Sequence, residues 1–185
     1  MASRQTGKME QSMKRSFLVL ICVFYISSVF AQTVELPFRS RKTGELIYSV
    51  FIDKTWISDF DLAHRNGMDG FFYPSKYNLE TSPIGIMTAS IVTNKSMYSF
   101  DSFVKSDLEN FAGSYGSFEK EELILPEKKN VMNTKTYKIV LRDITQYISY
   151  YETSKAFIVI ICQIFEPSDQ YFEFFRLFLG NIQFE

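Results

Sequence analysis

Ten residues near the C-terminus, Ala156 to Phe165 (AFIVIICQIF), are almost continuously apolar and rich in branched side chains. A strand with one wet face alternates apolar and polar residues, and this segment does not, so it reads as a central strand covered on both faces. Helices or loops must then lie on both sides of its sheet. The preceding candidate strand, Gln146 to Glu152, is separated from it only by Thr153, Ser154 and Lys155. So short a turn makes an antiparallel hairpin, because a parallel return needs about a dozen residues or more.

The other elements follow from periodicity. Strands are expected at Thr33 to Phe38, Leu46 to Ile52, Gly70 to Pro74, Ile84 to Thr93, Phe118 to Leu125 and Lys135 to Arg142. Asp53 to Gly70 reads as irregular structure or a short helix. From Phe100 to Ala112 the apolar residues Phe100, Phe103, Val104, Leu108 and Phe111 fall on one helical face, with Ser99 as cap and Gly113 as stop. A second helix is expected from Ser168 to Leu179, capped by Ser168 or Asp169 and stopped by Gly180. Its Tyr171, Phe172, Phe174, Phe175, Phe178 and Leu179 cover more than half its circumference, so it must be docked firmly. Strands, a helix, more strands and a terminal helix make an α+β fold with an antiparallel sheet.

The first 31 residues read as export machinery. Lys14 and Arg15 precede Phe17 to Phe30, a run of 14 residues without charge, and Val29-Phe30-Ala31 ends it as signal peptidase requires. A membrane anchor is the competing reading, but a span needs about 20 apolar residues, and this run is shorter and broken by Ser27-Ser28. Lipidation at Cys22 fits less well, since no small residue stands just before it. Residues 1–12 are a long polar lead without fold signal, and translation starting at Met9 or Met13 would remove most of it. Cleavage after Ala31 leaves 32–185 as one domain, exported to the periplasm or secreted, with no stable membrane span.

Cleavage removes Arg4, Lys8, Lys14 and Arg15 against Glu10 alone, so a chain of net charge −1 becomes a mildly acidic domain. Such a domain lacks the basic field that nucleic acid requires. Its one remaining cysteine, Cys162, cannot pair within its own chain, which leaves burial or an intermolecular disulfide.

Several strings bring a family into view. Trp56-Ile57-Ser58-Asp59, Gly67-Met68-Asp69-Gly70-Phe71-Phe72-Tyr73-Pro74 and Ser82-Pro83-Ile84 resemble the front half of exported bacterial PsbP-like domains, the fold shared with the Mog proteins. Phe100-Asp101-Ser102-Phe103, Tyr150-Tyr151-Glu152 and a closing helix ending in Asn181-Ile182-Gln183-Phe184 resemble the back half. The resemblance runs from about Leu46 to Phe184. It implies an antiparallel sheet of about six strands flanked by helices, and contact with other proteins as the common role. It brings no catalytic residues and no cofactor.

Asp59, Asp61, His64 and Asp69 are the one place where an imidazole and several carboxylates lie close in sequence. They match no known ligand spacing, and a solvated loop with one capping aspartate explains them as well. The resemblance to PsbP-like domains implies a structural role for Trp56 and Asp59, the indole plugging the sheet edge and the carboxylate accepting loop N–H groups. Cys162, set among isoleucines, reads as an inert buried thiol. One histidine makes Ser-His-Asp and multi-histidine sites hard to build, and glycine-rich phosphate loops, G-x-S-x-G and H-E-x-x-H are absent. Asn94-Lys95-Ser96 matches a glycosylation acceptor, which carries no weight in the bacterial setting that the resemblance implies.

Aromatic residues supply the candidate binding surface. Tyr147, Tyr150 and Tyr151 near one hairpin, Tyr73 near a loop with Tyr77, and Trp56 are the expected binding residues, with covering of the sheet as the alternative. The leading expectation is an exported, non-catalytic binding or scaffold domain contacting a protein or component of the cell envelope. A binder of a small apolar ligand, lined by Phe172, Phe175 and Phe178 between sheet and terminal helix, is the first alternative. A hydrolase using Asp59, Asp61 or His64 is the second. Neither metal nor cofactor is expected.

Overall fold

Two antiparallel sheets and three helices make up the computed structural model, which describes residues 33–91, 98–141, 144–166 and 169–185. The expected leader and the Asn94 acceptor lie outside the described residues. In chain order the elements are β1 (Val34–Arg39), β2 (Leu46–Ile52), β3 (Trp56–Ser58), α1 (Phe60–Arg65), β4 (Gly70–Pro74) and β5 (Ile84–Ile91). Then come α2 (Phe100–Tyr115), β6 (Glu119–Leu123), β7 (Val131–Leu141), β8 (Ile144–Thr153), β9 (Phe157–Ile164), α3 (Asp169–Gly180) and β10 (Ile182–Phe184).

The larger sheet has seven strands in the order β3-β4-β5-β9-β8-β7-β6, and the smaller has three in the order β1-β2-β10. The fold is α+β with antiparallel sheets, as the pattern of elements requires. The apolar run is β9, the fourth of seven strands. Its even-numbered residues Ile158, Ile160, Cys162 and Ile164 enter one core with β2, β10 and α3. Its odd-numbered Phe157 and Val159 enter a second core with α2. Strand geometry turns successive side chains to opposite faces, so a strand buried between two layers must be apolar at both parities.

Ser99 caps α2 as expected, its Oγ accepting from the Ser102 N–H at 3.2 Å. The helix runs past Gly113 to Tyr115 and stops at Gly116, whose φ of +84° disfavours any other residue. Gly113 has open space around it and no positive φ, so nothing there ends the helix. Ser99→Ala is expected to cost about 1 kcal/mol in denaturant unfolding, the usual value of an N-cap. Asp59 caps α1 in the same way, accepting from the Leu62 N–H at 2.8 Å. For α3, the expected Ser168 cap lies outside the described residues, and Gly180 is the last helical residue rather than the stop.

The chain end differs most from the sequence reading. Ile182 to Phe184 are not the end of a helix but a strand, pairing antiparallel with β2 in the register Ile182↔Val50, Gln183↔Ser49, Phe184↔Tyr48. Three residues are too few to carry a period, and the partner lies about 130 positions earlier. β7 likewise begins at Val131 rather than Lys135, because its ladder to β8 extends beyond the apolar alternation.

Candidate functional site

The expected binding aromatics occupy two different faces of the large sheet. β8 has a paired strand on each side and a covered layer on each face, so its tyrosines alternate into the two cores. Tyr150 is fully buried toward α2, its hydroxyl donating to Asp107 Oδ2 at 2.7 Å and its ring set edge-on to Phe103. Tyr147 and Tyr151 point the other way, Tyr147 against Phe172 and Phe175, Tyr151 against Phe184 at 4.7 Å between centroids. Tyr73 is buried on β4 beside Phe71. Trp56, half-buried on the edge strand β3, packs on Phe174 and Phe178 of α3. These rings cover the sheet and do not form one exposed patch.

The interval between sheet and α3 is filled at the residues expected to line a ligand cleft. Phe175 and Phe178 are buried, and the Phe178 ring lies 5.0 Å from Phe72 and 5.6 Å from Trp56. Rings of that size occupy the layer themselves. In the Asp59–Asp69 segment, the Asp59 carboxylate is engaged as a helix cap, and Asp69 accepts a 3.4 Å bond from the buried Tyr48 hydroxyl. Among the described residues no three histidine, cysteine, aspartate or glutamate side chains gather to hold a metal ion. Burial pushes the Cys162 thiol well above its ordinary range, which leaves it protonated and unreactive.

Tyr151 does reach a surface feature. Its ring lines an open groove of about 370 Å³ between the β6–β7 connection and the last turn of α3. Leu125, Pro126 and Lys128 form one wall, and Arg176, Leu177 and Leu179 the other. The helix carries no basic residue in its last turn, so its C-terminal carbonyls take a cation from elsewhere. Lys128 Nζ donates to the carbonyl of Leu179 at 2.6 Å and of Gly180 at 3.4 Å, and burial lowers the pKa of this amine. Asn130, with a positive φ of 63°, donates from its side chain to the Phe184 carbonyl at 2.8 Å. Two side chains, through three bonds, thus strap the β6–β7 connection to the chain end and hold the groove's walls at a set spacing.

The lining mixes the exposed apolar residues Pro126 and Leu177 with the charged Glu127, Lys128 and Arg176. Leu177 is 61% exposed. Arg176, the residue before Leu177, is held by Glu173 through two contacts of 2.8 and 3.0 Å. None of these groove residues except Tyr151 is a candidate from sequence alone. The available signal was Leu177, an apolar residue off the face that docks α3.

Among the described residues no helix is long and apolar enough to cross a membrane. No family model matches the chain, and no curated protein matches it. Among solved structures it is similar to the solution structure of cyanobacterial PsbP (CyanoP) from Synechocystis sp. PCC 6803, at 13% identity and a TM-score of 0.48. That likeness covers 84% of this chain and 94% of the other.

Proposed function

We propose that this chain is an exported, non-catalytic binding domain that holds an extended apolar segment of a partner protein in the groove at the end of α3. The observation that carries this reading is that the exposed Leu177 and Pro126 line the two walls of a groove framed by side-chain bonds. Exposed large apolar residues gathered at one place are a common mark of a docking surface. A preformed groove also spares a partner the entropy of ordering it. The sequence resemblance to PsbP-like domains, whose common role is contact with proteins, points the same way.

Site-specific photocrosslinking in the cells that make the protein tests this. A photoreactive residue at position 177 is expected to yield one discrete crosslinked protein, and the same residue at the exposed His64 none. Leu177→Asp is expected to weaken binding of that protein by about tenfold, since it puts a charge into an apolar contact worth roughly 1 to 3 kcal/mol. Equal crosslinking from both positions, or none from 177, would remove the groove as the site.

A further inference from the structure

A second depression, independent of that groove, lies on the opposite side of the large sheet between α2 and the β6–β7 ladder, with a volume of about 410 Å³. Its floor is apolar, made by the buried Val104 and Leu108 of α2 and by the ring of Tyr137 on β7. Three lysines and two carboxylates stand around it. Both carboxylates are engaged, Asp101 with Lys135 at 2.7 Å and Glu109 with Lys105 at 3.8 Å. Lys120 is left over. Among the described residues it forms no ion pair, and its ammonium lies 5.2 Å above the Tyr137 ring. Glu122, exposed two residues along β6, stands opposite Tyr137 in the ladder.

An apolar floor ending at an unpaired cation is complementary to a chain that is apolar along its length and anionic at one end. We propose that this trough binds an aliphatic carboxylate, its chain along Val104, Leu108 and Tyr137 and its carboxylate on Lys120. A cation over a tyrosine face is partly held in place before any ligand arrives, which limits the ordering cost of binding. A neutral or cationic amphiphile would leave Lys120 unpaired or repelled, so the charge decides among ligands of equal length.

Titration of the purified chain with decanoate, followed by NMR of the Val104 and Leu108 methyl groups, tests the assignment. Saturable shifts are expected, with decylammonium binding about fivefold more weakly, the scale of one partly exposed charge pair. Lys120→Met is expected to erase the preference while keeping the fold, and Lys120→Glu to reverse it. Because residue 120 is exposed, neither variant removes a buried contact. Absence of saturable methyl shifts, equal affinity for the two amphiphiles, or a preference that survives Lys120→Met would each overturn the proposal. None of these outcomes bears on partner binding at Leu177.

Discussion

Between pH 10 and 12 the folded state is expected to lose about 4 kcal/mol of stability per pH unit. Tyr48, Tyr150 and Tyr151 are all buried, and burial raises each phenol's pKa, Tyr151 to about 12. The Asp69 charge beside Tyr48 and the Asp107 charge beside Tyr150 raise those two further. In the unfolded chain the same groups ionise near pH 10. Below that pH both states hold the proton, and the stabilisation is complete. Above it the unfolded chain releases protons that the fold retains, and stability falls by about 1.4 kcal/mol per unit for each tyrosine. For Tyr151 the loss ends near pH 12, where the folded state ionises too.

The check is the denaturant midpoint measured at intervals from pH 9 to 12, with tyrosinate absorbance followed in parallel. Tyr151→Phe should flatten the slope by about a third. A midpoint indifferent to pH across that range, or tyrosinate forming without unfolding, would contradict the burial described for these rings.

Phe175→Ala is expected to destabilise the protein by about 3 to 5 kcal/mol, a large share of a domain's total. Phe175 is fully buried and packs its ring on Tyr147, so its removal leaves a hole between α3 and the sheet. Leu177, two residues on, is the matched control. With 61% of its surface in water, Leu177→Ala should change stability by no more than about 0.5 kcal/mol. Urea unfolding of the two variants separates them, and equal losses would mean that α3 docks by another face. The contrast also serves the functional reading, since Leu177 must be dispensable for folding if it is kept for a partner.

The sequence by itself determined which segments are strands and helices wherever the apolar pattern is long. The ten-residue run that becomes β9, the five-residue apolar face of α2 and the aromatic coat of α3 each state that a side chain will leave water. The short turn at Thr153 to Lys155 set the antiparallel sense of the β8–β9 pair. Asp59 and Ser99 were legible as residues able to cap, because the cap bond is made within three positions.

Only the tertiary structure decided what each of those side chains is buried against. The alternation in Tyr147 to Tyr151 says that neighbours face opposite ways, but both faces of β8 are covered, so tyrosines that read as a patch are divided between two cores. The pairing of β10 with β2, the straps from Lys128 and Asn130 to the chain end, and the isolation of Lys120 all join positions far apart in sequence. Local periodicity records the loss of water from a residue. Which atoms replace that water depends on long-range register, and that is settled only when distant strands have paired.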